Sequence, residues 1–244
     1  MKTIVIIPDL QVPYEDKAAV DAVTQFIEDY KPDSVACVGD EIDLPQLSTY
    51  TRGLAGEFTR RLDKDRNRTI EVLKALQIKD LSRSNHSDRL FKSIALRLPG
   101  LSDLPELSIE GFLKLKDIGV TYHHEPYELA PGWLLMHGDE AGVRPGAGST
   151  AAGLAQRTNK SCVIGHTHRA GLIPYSMGYG KRIRETRWGF EVGNLMDFKH
   201  AGYVKVANWQ QAFGILHVDK TTVTPQLVPI SNRSFVVDGT QYKW

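Results

Sequence analysis

The chain has little cysteine: two residues in 244, Cys37 and Cys162, each inside an apolar stretch. A disulfide-stapled scaffold is thereby disfavoured, and two buried thiols in a reducing compartment are expected. Long apolar runs are missing too. None reaches the roughly 20 residues that span a bilayer, so no membrane partner is expected. The opening stretch, MKTIVIIPDL, carries one lysine and a short apolar run. It lacks the long hydrophobic region and small-residue cleavage site of a secretory leader, and reads as the first strand of a cytoplasmic protein. Nor is there an excess of one charge. Lys and Arg number 30 against 29 Asp and Glu, leaving a net charge of +1. No global field steers the molecule to nucleic acid, and only a local basic patch could do so. No Gly/Ser/Pro-rich linker and no internal repeat divides the chain, so residues 1–244 read as a single domain.

What is present is an ordinary globular composition, 41% hydrophobic and 24% charged, in a chain long enough to bury a sizeable core. Lys2 to Ile7 is a continuous apolar run ending at Pro8-Asp9, as a buried parallel strand would. From Asp16 to Tyr30, residues Ala19, Val23, Phe26, Ile27 and Tyr30 share one helical face, and Pro32 blocks continuation. Ser34 to Val38 is a second short strand, ending at Gly39-Asp40. Strand, helix, strand implies a βαβ unit and a parallel sheet, whose carboxyl ends gather functional residues.

Pro45 to Asp80 is polar and mostly helical in pattern, and the mixed-sign run RRLDKDRNR, Arg60 to Arg68, reads as a solvated helix face. Helices are also expected over Asp88 to Leu98 and Ser108 to Lys116. Beyond Thr121 short β-rich runs dominate, interrupted by one helix at about Ser149 to Thr158. The spacing predicts an α/β domain with two packed sheets, and a mostly helical cap or insertion over about 45–118.

Five separated motifs carry oxygen and nitrogen donors: Asp9 with Gln11, Asp40, Asn85 with His86, His137, and His166 with His168. Four of them follow an apolar strand-like segment. Carboxylate, amide and imidazole donors suit Mn²⁺, Mg²⁺, Fe or Zn²⁺. One carboxylate can bridge two metals roughly 3.5–4 Å apart, a pair that clamps both oxygens of an in-line displacement.

In order, PDLQ, VGDEID, SNHSD, MHGDE and IGHTH resemble the motif series of the calcineurin-like metallophosphoesterase superfamily. SNHSDRLFKSIALRLPGL and NWQQAFGILHVD resemble its phage-encoded members, which would act in the host cytoplasm. The resemblance implies a four-layer α/β/β/α sandwich of two mixed sheets flanked by helices. It implies two divalent ions, Mn²⁺ foremost. Asp9 and His168 would hold the first, with whatever stands at residue 11. Asp40 would bridge, and Asn85, His137 and His166 would hold the second. A bridging hydroxide would be the nucleophile, His86 the proton donor to the leaving oxygen, and Asp43 its orienting partner. Arg89 would either contact the substrate phosphate or brace the loop.

Two positions depart from that pattern. Ser84 stands where a glycine usually precedes Asn-His, which predicts some backbone strain. Gln11 stands where a histidine is usual. It would either ligate through its amide oxygen or hydrogen-bond a metal-bound water, and either way loosen the first site. The implied reaction is phosphoester hydrolysis. Leu44 follows Asp43 where protein phosphatases have arginine, which turns the reading away from that branch. Lys181, Arg182, Arg184 and Arg187, close to Tyr175, Tyr179 and Trp188, would form either a nucleotide-binding patch or a charged surface hairpin. A phosphodiester of a cyclic nucleotide or nucleic acid is the expected substrate. The alternatives are a catalytically silent binding module and a nuclease subunit of a larger complex.

Overall fold

The computed structural model describes residues 1–58, 61–200 and 207–244. The first half runs β1 (Lys2–Ile7), α1 (Lys17–Tyr30), β2 (Ser34–Cys37), α2 (Leu62–Ala75), β3 (Asp80–Ser82), α3 (Asp88–Arg97), α4 (Ile109–Phe112) and β4 (Thr121–His123). The second half runs β5 (Tyr127–Ala130), β6 (Trp133–Leu135), α5 (Ser149–Thr158), β7 (Ser161–Ile164), β8 (Ala170–Tyr179), β9 (Arg182–Val192), β10 (Ala212–Asp219), β11 (Thr222–Pro229), β12 (Ser234–Val237) and β13 (Thr240–Lys243). One sheet has the order β11-β10-β1-β2-β3-β4 and the other β5-β6-β7-β9-β8. β1 to β4 are mutually parallel, as are β6, β7 and β9, and antiparallel strands close the remaining edges.

The two-residue side-chain period of β1 explains the layers. Val5 and Ile7 point to one face, where they pack with Val20, Val23, Phe26 and Ile27 of α1 and Val72 and Leu73 of α2. Ile4 and Ile6 point to the other, where they meet Leu135, Val163, Phe190 and Val192 of the second sheet. Beyond that sheet, Ala151, Leu154 and Ala155 of α5 cover Cys162 and Ile164. The result is the α/β/β/α sandwich expected from the motif series. Cys37 and Cys162 are free, buried thiols. α1 starts where Asp16 accepts a hydrogen bond from the Ala19 amide at 3.2 Å, a cap of about 1 kcal/mol. It ends at Lys31, whose left-handed φ of 51° precedes Pro32.

The insertion is less regular than its pattern predicts. Pro45–Leu47, Thr49–Thr51 and Ala55–Phe58 are 3₁₀ turns rather than one helix, broken by Pro45, Gly53 and the short hydroxyl side chains between them. Arg60, the first residue of the mixed-charge run, lies outside the described residues. Within 45–118, α2 packs on the first sheet and β3 belongs to it. The segment from α3 to the turn at Leu115–Ile118 is anchored on the same core through Leu90, Leu113 and Leu115.

A candidate metal centre at the strand ends

Each of the five motifs lies just past a strand: Asp9 after β1, Asp40 after β2, Asn85 after β3, His137 after β6 and His166 after β7. The loops are stitched together by backbone bonds. Leu10 and Gln11 amides donate to the Asp40 carbonyl at 3.1 and 2.7 Å, and the Gly165 amide donates to the His137 carbonyl at 2.9 Å. Gln11, Asp40, His166 and His168 all have positive φ, between 51° and 61°. Such conformations cost free energy and cluster where a site demands them. Gly165 is required by close approach: a Cβ there would lie 2.1 Å from Asp9 Oδ1 and 2.5 Å from Val38. Gly39, at φ 103°, leaves room for Ser84 and His137 in the same way. Ser84 itself has no positive φ, so the strain expected of it is absent. Its hydroxyl instead accepts from the Ser87 amide at 3.1 Å and pairs with the Ser87 hydroxyl at 2.6 Å, shaping the turn into α3.

Two donor sets converge here, Asp9 with Asp40 and His168, and Asp40 with His137 and His166, each with ligand atoms within 4.8 Å of one another. They share Asp40. Asn85 joins the second set, its Oδ1 lying 2.9 Å from His137 Nε2 and 3.1 Å from His166 Nδ1. His137 Nδ1 donates to the Val38 carbonyl at 3.0 Å, which turns Nε2 inward. Asp9 Oδ2 and Asp40 Oδ1 are buried oxygens without a well-formed hydrogen bond among the described residues, facing His168 Nε2 at 3.2 Å and His137 Nε2 at 3.3 Å. Burial and then the charge of Asp40 raise the Asp9 carboxyl well above its ordinary range. Asp40 is lowered: burial acts against this, but the His137 and His86 charges and hydrogen bonds outweigh it. Burial pushes His168 down to about 4, so its imidazole is neutral, as a ligand must be. On His137 the Asp40 and Asp9 carboxylates overcome the effect of burial and raise it to about 10. The cluster thus balances its carboxylates with a proton that a divalent cation would displace. Two convergent donor sets, with inward imidazoles and carboxylate charge met only by a proton, fit divalent metal.

Gln11 is inside this cluster. Its amide nitrogen donates to Asp40 Oδ2 at 2.6 Å and lies 3.5 Å from His168 Nε2. A half-turn of the amide would put its oxygen at the same point. His86 sits over the cluster, its Nε2 3.9 Å from Asp40 and its Nδ1 2.8 Å from Asp43 Oδ1. Arg89 donates to the Asp43 carbonyl, lies 3.3 Å from Asp43 Oδ1 and reaches His86 Nε2 at 2.9 Å. In this geometry its guanidinium contacts both the Asp43 loop and the His86 ring. Arg89 can only donate, so His86 Nε2 is the acceptor in that contact.

The basic run is placed elsewhere. Lys181 and Arg182 are at the tip of the β8–β9 hairpin, whose base is at the metal loops. β8 is 10 residues long, which puts the tip about 30 Å away. Arg184 lies over the Tyr179 ring at 4.4 Å, and the buried Arg187 pairs with Glu185 at 2.7 Å. The run thus forms a charged hairpin whose tip lies away from the donor cluster. His123, His124 and His217 pair with Asp80, Glu110 and Gln226, away from the cluster. His200 packs on Tyr14 rather than on a ligand.

Four residues without a motif complete the centre. Arg83 grips Asp139 at 2.8 Å and Asp88 at 2.5 Å, tying the Asn85 loop to the His137 loop. Glu191, fully buried, accepts from Thr167 Oγ1 and from the Thr150 amide at the start of α5, both at 2.9 Å. Asn194 donates to the His168 carbonyl at 2.9 Å. Trp209 packs edge-on against His168, with ring centroids 4.6 Å apart.

Two curated proteins share most of their length with the chain. It is 39% identical to the Gene 54 protein of Mycobacterium phage D29, covering 98% of this chain and 97% of that protein. It is 38% identical to the Gene 54 protein of Mycobacterium phage L5, with the same coverage. Among solved structures, the vacuolar protein sorting 29 of Cryptosporidium parvum, a metallophosphoesterase-fold protein, superposes with a TM-score of 0.51. That match covers 98% of this chain and 94% of the other at 15% identity, a likeness of fold alone. No protein-family model matches the chain.

Proposed function

From the premise that this chain belongs to the family of the mycobacteriophage Gene 54 proteins and has the metallophosphoesterase fold, we propose that it is a dinuclear metal-dependent phosphodiesterase. Its substrate is a phosphodiester of a nucleotide or nucleic acid, and its setting the host cytoplasm. The observation that carries the reading is the pair of donor sets sharing the buried Asp40. Asp9, Gln11, Asp40 and His168 would hold one ion, and Asp40, Asn85, His137 and His166 the other. When bound, two divalent ions, Mn²⁺ foremost, would supply Lewis-acid stabilisation of phosphoryl charge and a water acidic enough to attack at neutral pH.

The protein's own residues do the rest. Asp43, 2.8 Å from Nδ1, orients the His86 ring so that Nε2 can give a proton to the leaving oxygen. For that step Arg89 must leave Nε2, and the oxygens of an entering phosphate are the natural new partner for its guanidinium. The buried walls around Asp40 keep bulk water from screening these charges.

One observation favours a second reading, a catalytically silent binding module, alone or in a larger complex. The Gln11 amide nitrogen satisfies Asp40 by a hydrogen bond, where the superfamily pattern has a ligand. The retained pairing of His86 with Asp43 speaks for the enzyme, because a silent module has no use for a proton donor. Hydrolysis of a chromogenic aryl phosphodiester by metal-stripped protein, with Mn²⁺ returned, decides between them. Turnover that rises with Mn²⁺ and stops with chelator is expected. No turnover with any candidate metal would leave the binding module.

A further inference from the structure

Beside His86 a cleft of about 290 Å³ opens between α3 and the 3₁₀ turns that follow Asp43. Asn85 and Arg89 lie at its metal end, so it is continuous with the candidate centre. Its walls carry Arg52, Lys92 and Arg97, with Tyr50 at the rim. Lys92 is paired with Asp88 and Arg97 with Glu57. Arg52 has no ion-pair partner among the described residues, so the lining keeps a positive excess. From Arg89 to Arg97 the charged ridge of α3 rises about 12 Å, at 1.5 Å per residue. A stacked strand repeats its phosphates about every 3.4 Å, so the ridge is long enough to meet more than the scissile one. Tyr50 is 87% exposed, which leaves a face of its ring for a base to stack on. A cyclic nucleotide, with a single phosphate, would leave this ridge unused.

We propose that the cleft is the subsite for the leaving-group side of a single-stranded nucleic acid, which continues past the scissile phosphate along α3. This rests on the phosphodiesterase reading. Arg52 and Lys92 contact the flanking phosphates, and Tyr50 stacks on the base between them.

The test is binding of a short fluorescein-labelled single-stranded oligodeoxynucleotide to the full chain by anisotropy, in chelator so that nothing is cleaved. Substituting Arg52→Gln and Lys92→Gln together weakens binding about tenfold and flattens the dependence of log K on log salt by about one to two, at ~0.7 per phosphate contact. Both side chains are solvent-exposed, and an unchanged melting temperature confirms the fold. Lys181→Gln with Arg184→Gln at the hairpin tip binds as wild type does. Wild-type affinity in the cleft variant, loss in the hairpin variant instead, or tighter binding of the matching duplex would each overturn the proposal. Aryl diester turnover without oligonucleotide binding sinks the cleft alone. Binding through the cleft without Mn²⁺-dependent turnover keeps the cleft and sinks the enzymatic reading.

Discussion

Replacing Gln11 tests the least usual feature of the site. The Gln11 amide donates to the buried Asp40 carboxylate at 2.6 Å, and a hydrogen bond to a charged acceptor contributes about 1.5–3 kcal/mol. Gln11→Leu removes that donor while keeping the volume. In metal-free protein it lowers the melting temperature by about 2–4 °C for each kcal/mol lost, the scale for a domain of this size. Gln11→His acts in the opposite sense on metal. Histidine tolerates the φ of 54° at this position, and its Nε2 is as many bonds from Cα as the glutamine amide atoms are. An imidazole there is a stronger donor, and the account predicts Mn²⁺ binding at least about tenfold tighter, roughly 1.4 kcal/mol. Calorimetric titration of metal-stripped protein measures it directly. Unchanged Mn²⁺ affinity in Gln11→His, together with unchanged affinity in Gln11→Leu, would refute the placing of residue 11 at the first ion.

Three more substitutions probe the surrounding machinery. His86→Ala slows hydrolysis of alkyl esters, which need a proton on the leaving oxygen, by about 10²–10⁴ and of nitrophenyl esters much less; equal losses for both would remove the proton-donor role. Gly165→Ala forces a Cβ toward Asp9 and lowers both Mn²⁺ affinity and folding stability by about 1–3 kcal/mol, read by calorimetry and thermal melting, and a variant with wild-type values would mean the loop relaxes freely. Glu191→Gln touches no ligand but loosens the Thr167 hydroxyl between His166 and His168, and a 10–100-fold loss of metal affinity is expected by calorimetry. Normal affinity in that variant would show that the loop is held by its backbone bonds alone.

The sheet strands and the convergence of the candidate donors were legible in the sequence for a common reason. Apolar runs such as Lys2 to Ile7 and Ser161 to Ile164 mark strands, and a polar residue immediately after one has nowhere to go but the carboxyl end of the sheet. Asp9, Asp40, His137 and His166 obey that rule. Other features depend on contacts remote in sequence. Nothing near Arg83 indicates that Asp139 will face it, and Glu191 meets Thr167 only because β9 lies beside β7. The basic run after the GHTH loop is near the centre in sequence but far in space, since an extended hairpin carries it outward. Ser84 needs no unusual backbone because the positive φ falls on Gly39 across from it, whose missing Cβ makes the room. The insertion broke into 3₁₀ turns where periodicity suggested helix, because Pro45, Gly53 and nearby hydroxyls compete with helical hydrogen bonds.

The account stands on two ions sharing one carboxylate, and anomalous diffraction from crystals soaked in Mn²⁺ tests that most directly. Two peaks about 3.5–4 Å apart on either side of Asp40, one near Asp9 and His168 and the other near Asn85, His137 and His166, are predicted. A single peak, or ions bound without Asp40 between them, would contradict it.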